Sequence, residues 1–203
     1  MLTPGYSTTA TERILPRVFF DFTTASLDAR IAVARNLNTA TRVNASGAFE
    51  IVNANLPRFD YNPTTLVCKG LLVEESRTNL VLNSLLNGTS LATQSVTVTA
   101  IAHTLSFYGT GQIVLSGTHS ATVSGTGAYP TRTTYTFTPT AGSLTLTVSG
   151  TVQYVNLEPG AFATSFIPTH GTNKTRNADA VTVTGTNLTS WFNATEGAVF
   201  AEA

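Results

Sequence analysis

Gln94-Ser95-Val96-Thr97-Val98-Thr99 alternates apolar with small polar side chains, and the same alternation runs on to Leu157. Leu105 and Phe107, Ile113 and Leu115, Tyr135 and Phe137, then Leu144, Leu146 and Val148 keep a period of two, and Val152 to Leu157 continues the series. That period puts successive side chains on opposite faces of a strand, one buried and one wet. Between the runs stand Gly109-Thr110-Gly111, Ser116-Gly117, Ser124-Gly125-Thr126-Gly127, Pro139-Thr140-Ala141-Gly142 and Ser149-Gly150, all turn formers. Short strands about eight to twelve residues apart, divided by such turns, predict an antiparallel β-sandwich or jelly roll.

Upstream, residues 1–84 hold most of the arginines and acidic residues, with Pro4, Pro16, Pro57 and Pro63. Short strands in irregular chain are expected there. Arg17 to Phe22 reads as a strand, and Ser26 to Asn36 as a helical turn or an extended arm. Ala48 to Val52 reads as a strand after the turn Asn44-Ala45-Ser46-Gly47, and Leu66 to Cys68 with Gly70 to Glu74 as another short strand pair. Downstream of Glu158-Pro159-Gly160, Pro168 to Asn177 reads as an extended linker, Ala180 to Thr184 as a strand, and Leu188 to Phe192 as a short helix or turn. The closing Gly197 to Ala203 resembles the first strand of a further domain, so the sequence is expected to be the N-terminal portion of a longer polypeptide. The predicted fold is all-β: an irregular, short-stranded anchoring region over 1–84, an antiparallel β-sandwich (jelly roll) over 85–167, and a linker with the start of another domain over 168–203.

Composition narrows the function. The chain is 42% hydrophobic but only 11% charged, and its 11 basic and 11 acidic residues cancel. Nucleic-acid binding needs a basic face that releases phosphate counterions, and membrane-surface binding needs clustered Lys or Arg. The sequence has neither, so no nucleic-acid partner is expected. No apolar run approaches bilayer-spanning length, and Met1 to Ala10 lacks a basic start followed by an apolar core; neither membrane insertion nor conventional secretion is expected. Abundant Thr favours strands and keeps a surface wet without charge. Triplets such as Asn44-Ala45-Ser46 and Asn187-Leu188-Thr189 follow from a composition rich in Asn and Thr.

The sequence offers little reactive chemistry. Cys68 is alone and reads as a small buried hydrophobe. His103, His119 and His170 lie apart without a second ligand at metal-binding spacing. Gly109-Thr110-Gly111 and Gly125-Thr126-Gly127 open no helix and read as turns, not as a dinucleotide fingerprint. Glycoside cleavage needs two carboxyl groups facing each other across a sugar bond. Glu74-Glu75 is the one adjacent acidic pair, and in extended chain the two point to opposite faces. Asp21, Asp28, Asp60 and Asp179 are scattered. No catalytic residue, metal ligand or cofactor is therefore expected. Arg58, Asp60, Glu75 and Arg77 are expected in structural ion pairs. Phe107, Tyr135 and Phe137 suit the buried face, while Tyr108, Tyr129 and Tyr154 are candidate platforms for a glycan. Trp191 is expected to be a packing anchor.

Particular strings carry a resemblance. Leu56-Pro57-Arg58-Phe59-Asp60-Tyr61-Asn62-Pro63, and Cys68 to Leu80 with its Gly70-Leu71-Leu72-Val73-Glu74-Glu75-Ser76-Arg77-Thr78-Asn79, resemble segments of tailed-bacteriophage minor structural, tail-fibre and head-fibre proteins. Phe20-Asp21-Phe22, Arg30-Ile31 and Ala40 to Asn44 are similar to the opening of those proteins. Leu157 to Gly160 and Ala163 to Thr169 are similar to the close of their central module, and Arg176-Asn177-Ala178-Asp179, Trp191-Phe192-Asn193 and Glu196-Gly197 complete the likeness. The resemblance implies a non-catalytic virion protein that attaches to other tail or capsid proteins and displays a receptor-binding region. It further implies a homo-oligomer, with a trimer favoured, and a central module like a carbohydrate-binding jelly roll that meets host surface glycan.

Overall fold

The computed structural model describes residues 18–37 and 39–195, which are nearly all β. Six short strands come first: β1 (Ala32–Ala34), β2 (Ala40–Val43), β3 (Phe49–Val52), β4 (Phe59–Tyr61), β5 (Cys68–Leu71) and β6 (Arg77–Asn79). Seven strands follow from the alternating segment: β7 (Gln94–Val98), β8 (His103–Tyr108), β9 (Gln112–Gly117), β10 (Ala121–Ser124), β11 (Thr133–Phe137), β12 (Gly142–Ser149) and β13 (Gln153–Pro159). The chain then adds β14 (Lys174–Arg176), β15 (Ala180–Thr182) and a single helical turn, α1 (Thr186–Thr189).

The alternating segment makes two antiparallel sheets, ordered β10-β9-β12-β7 and β11-β8-β13. Their inward residues form one core: Val96 and Val98, Leu105 and Phe107, Ile113 and Leu115, Val123, Phe137, Leu144 and Leu146, and Val155 and Leu157. Each fully buried side chain of this size contributes about 1.5–3 kcal/mol, so the core carries the sandwich. Inward Tyr135 is half-buried at its rim. At one end the sheets are drawn together through backbone alone. A Cβ at Gly109 would lie 2.0 Å from the Thr151 carbonyl oxygen, and one at Gly125 would lie 2.1 Å from that of Gly109. The Gly-Thr-Gly strings are thus places where main chains touch.

All of β8 is buried, on both faces. Its outward Thr104 and Ser106, with Asn156 and Glu158 of β13, are polar yet sealed from solvent. Thr104 donates to the Gly160 carbonyl, Ser106 accepts from Arg132, Glu158 accepts from Thr164, and Asn156 is held between Ser165 and Asn79 of β6. The N-terminal strands form the hairpins β2-β3 and β4-β5, while β1 pairs with β15 and β6 with β14. The Leu80 amide donates to the Leu157 carbonyl at 2.8 Å, continuing the β11-β8-β13 sheet beside β6. The molecule is therefore layered: the four-stranded sheet, the apolar core, the three-stranded sheet, and an outer layer of short strands from both flanks.

Several expectations change. Arg17 lies outside the described residues, and 18–22 form no strand; Asp21 instead bends the chain by accepting the Thr23 amide at 2.8 Å. Within Ser26 to Asn36 the extended option holds, as β1. The expected pair from Leu66 to Glu74 is one strand, β5, whose partner is β4; Leu66 has φ 61 in the turn that reverses the chain at Asn62. Pro168 to Asn177, expected as a linker, contains β14 in register with β6. Strand β10, which brings only Val123 fully inward, escaped the periodicity reading. Trp191 anchors no core: it meets Phe192 edge-on at 6.1 Å, and α1 buries no residue. The expectation for Gly197 to Ala203 falls outside the described residues. Among the described residues no helix is long and apolar enough to cross a membrane.

Candidate functional site

The turn Ser46-Gly47-Ala48 delivers Phe49 at the start of β3, and its side chain enters an aromatic socket on the sandwich. Its ring centroid lies 5.9 Å from Tyr108, 5.0 Å from Tyr129, 5.0 Å from Tyr154 and 5.5 Å from Phe166. These offset and edge-on pairings add stabilisation beyond the buried area. The candidate glycan tyrosines thus come from the end of β8, the β10-β11 connection and β13 to one place. Tyr154 sits between the register positions Gln153 and Asn156, where β13 bulges, and has φ 50. A bulky residue in that region is strained, and the bulge aims its ring out of the sheet toward Phe49.

The three tyrosines differ in access. Tyr108 is buried. Tyr129 and Tyr154 are half-buried and, with Ser46, Gly47, Ala48, Phe49 and Leu86, line an open concavity of about 250 Å³, slightly below the ~300–1,000 Å³ common for small-molecule sites. The Tyr129 hydroxyl donates to the Gly47 carbonyl at 2.6 Å. Burial, then the neighbouring Tyr108, Asp60 and Tyr154, pushes the Tyr129 phenol up to about 12. Burial also raises Tyr108. These phenols remain neutral at physiological pH, as stacking and hydrogen-bonding surfaces.

A second constellation lies between the layers. Arg35, Arg58 and Arg176 are fully buried among Glu74, Asp179 and Glu158. Arg35 Nη1 reaches Asp179 Oδ1 at 2.8 Å, and Arg58 Nη2 is paired with Asp179 Oδ2. Arg58 Nη1 reaches Glu74 Oε2 at 2.8 Å, and Arg176 Nη1 approaches the same oxygen at 3.3 Å. Ser165 donates its amide and hydroxyl to Glu74, and Thr164 donates its own pair to Glu158. Burial by itself pushes the Glu74 carboxyl up; Arg176, Ser165 and Arg58 outweigh it and hold Glu74 below the usual carboxylate range. Asp179 is likewise raised by burial but held low by Arg58, Arg35 and the Glu74 amide. These carboxylates are bound to cations and are not poised to take or give a proton.

The four ion-pair candidates separate in space. Arg58 is central to the network. Asp60 instead accepts the Val43 amide at 2.8 Å and pairs with Lys69 at 2.6 Å. Glu74 points inward while the neighbouring Glu75 is 55% exposed and paired with Arg77. Arg77 also clasps the Pro159 carbonyl and lies over the Phe162 ring at 4.8 Å. The histidines remain apart from this network. His103 and His119 flank Phe137, at 6.2 and 4.6 Å between rings, and His119 Nε2 meets the Tyr135 hydroxyl at 3.0 Å. Among the described residues no cluster of His, Cys, Asp or Glu is arranged to hold a metal ion.

No family model, curated protein or solved structure matches the chain.

Phe49 and Asn79 are site residues that periodicity overlooked. Asn79 is fully buried and makes five hydrogen bonds: Nδ2 donates to the carbonyls of Val155 and Ile167 and to Asn156 Oδ1, while Oδ1 accepts the amides of Val81 and Leu157. A usable signal did exist. In a chain so poor in charge, arginines set among apolar neighbours, as in Val33-Ala34-Arg35 and Pro57-Arg58-Phe59, point to buried pairing.

Proposed function

We propose that the chain is a structural protein of a tailed-phage or phage-like virion, a fibre or spike component that anchors to the particle and displays a receptor-binding region. One observation carries this reading. The strings that resemble phage fibre proteins are far apart in sequence, yet they supply the interlayer network: Arg58 from the first, Glu74 and Asn79 from the second, Glu158, Thr164 and Ser165 from the third, Arg176 and Asp179 from the last. Residues that join in one framework are what a shared architecture requires, so the likeness is of a scaffold. In the proposed role the short-stranded layer attaches to tail or capsid proteins and to sister chains, and the sandwich is a jelly roll. Its chain alternates between the two sheets at every connection except β9 to β10, which supports that topology. Assembly is a homotrimer held by apolar and backbone contacts, because the surface offers few charges. Near-atomic imaging of the particle together with mass photometry tests this: a symmetric, particle-bound trimer is expected, and a monomer at micromolar concentration that is absent from the particle overturns it.

The convergence of Tyr129 and Tyr154 on one concavity favours a second reading, a carbohydrate-binding module for host surface polysaccharide. Half-exposed rings supply the stacking face, with Ser46 beside them for hydrogen bonding. Glycan-array binding that disappears in Tyr154→Ala supports it, and a silent array with folded wild-type protein rejects it.

A further inference from the structure

Three Asn-X-Ser/Thr triplets fold into the same local arrangement. In Asn44-Ala45-Ser46, Asn87-Gly88-Thr89 and Asn193-Ala194-Thr195, the asparagine Oδ1 accepts both the amide and the hydroxyl of the third residue. For Asn87 these bonds are 3.1 and 2.8 Å, and for Asn193 they are 3.1 and 2.9 Å. The middle residue differs. Ala45 and Ala194 carry a Cβ that crowds the intervening backbone nitrogen, whereas Asn87-Gly88 is the one Asn-Gly step in the sequence. Asn87 is exposed while Gly88 is buried beside Tyr154, and the Gly88 amide makes only a long hydrogen bond, 3.4 Å to the Leu85 carbonyl.

We propose that Asn87 is a self-modification site, converting to aspartyl and isoaspartyl forms through a ring shared with Gly88. The Gly88 backbone nitrogen gives its proton to hydroxide and attacks Asn87 Cγ. The new N–C bond closes a succinimide, the Cγ–Nδ2 bond breaks, and Nδ2 leaves as ammonia with the returned proton. Water then opens the ring at the Asn87 main-chain carbonyl to give isoaspartate, or at the side-chain carbonyl to give aspartate. One water is consumed and one ammonia released, and nothing is oxidised or reduced. During the attack negative charge collects on Oδ1, where the Thr89 hydroxyl and amide already donate; such preset donors stabilise a developing oxyanion. The reaction reaches the aromatic site. A Cβ at Gly88 would stand 2.7 Å from the Tyr154 hydroxyl, and the Gly88 carbonyl accepts from Gln153 Nε2. Isoaspartate lengthens the main chain by one methylene at this support and adds a negative charge.

The test is peptide mass mapping of the full chain after storage at mildly acidic and mildly alkaline pH. The Asn87 peptide is expected to gain about 1 Da, to separate into two isomers, and to convert several-fold faster than the Asn44 and Asn193 peptides, with the rate rising in alkali. Thr89→Val, which keeps the shape and removes the hydroxyl donor, is expected to slow conversion several-fold in the folded protein and to have no effect in denaturant. Conversion of Asn87 no faster than that of Asn193 overturns the proposal, and so does a Thr89→Val variant that folds and converts at the wild-type rate.

Discussion

Arg35 and Asp179 stand 144 positions apart in sequence, yet Arg35 Nη1 donates to Asp179 Oδ1 at 2.8 Å with both side chains sealed from solvent. The contact joins the residue just after β1 to the residue just before β15, so the two flanks of the sandwich are tied by charge as well as by strand pairing. Arg35 also donates to the carbonyls of Val52, Asn53 and Leu56, which extends the tie to the β3-β4 connection. A buried ion pair gains little over an apolar replacement of both partners but costs much when one partner is removed.

Arg58→Met is therefore expected to destabilise by about 3–5 kcal/mol, because Glu74 and Asp179 lose a shared partner while remaining buried. Urea unfolding with a lowered midpoint checks it. A midpoint within error of wild type would remove the network from the account of stability.

Acid should weaken the same contacts. Glu74 and Asp179 have folded values below their unfolded ones, so their stabilisation is full above the unfolded carboxylate range of about 4 and is lost as pH falls through the lower folded values. Melting temperature is expected to stay level from neutrality to about pH 5 and then drop. At the alkaline end Tyr129 works in the opposite sense: its raised value, about 12, favours the fold below an unfolded value of about 10, and that contribution fades between the two. Tyrosinate absorbance during base titration reads it directly, and ionisation of every tyrosine near pH 10 without unfolding contradicts it.

Phe49→Ala should empty the socket and cost about 3 kcal/mol. The loss should be local. Hydrogen exchange is expected to rise over β2 and β3 while β8 and β12 stay protected, since the sandwich core does not include Phe49. Equal loss of protection in β12 would mean that the layers unfold together.

Asn79→Asp is close in shape but lacks the two amide hydrogens that serve the Val155 and Ile167 carbonyls. Leaving those acceptors unmet and burying a carboxyl among them is expected to cost at least about 3 kcal/mol. An unchanged denaturation midpoint would show that the structure relaxes around it.

The two sheets were legible because Val96, Leu105, Ile113 and Leu144 each face one common core, and a period of two reports that directly. Strand β10 was hidden because Val123 alone, flanked by small polar residues, gives no alternation to count. Strands β6 and β14 escaped for another reason: Arg77-Thr78-Asn79 and Lys174-Thr175-Arg176 are polar on both faces, and only their partners, remote in sequence, make them strands. The tyrosines could be proposed singly, but their meeting depends on Phe49, which belongs to a different hairpin. Asp179 looked scattered for the same reason, since its arginines lie in segments that only folding brings near.

Pairing of Ala32 with Thr182 and of Arg77 with Arg176 places the entry and exit of the β7-β13 sandwich side by side. A pull applied across the flanks would load these short ladders and the arginine-carboxylate joints first, leaving the sandwich outside the path of tension. The four-stranded sheet β10-β9-β12-β7, on the far side of the core from the outer layer, then stands clear of that load and can be reshaped while the flanks bear the strain.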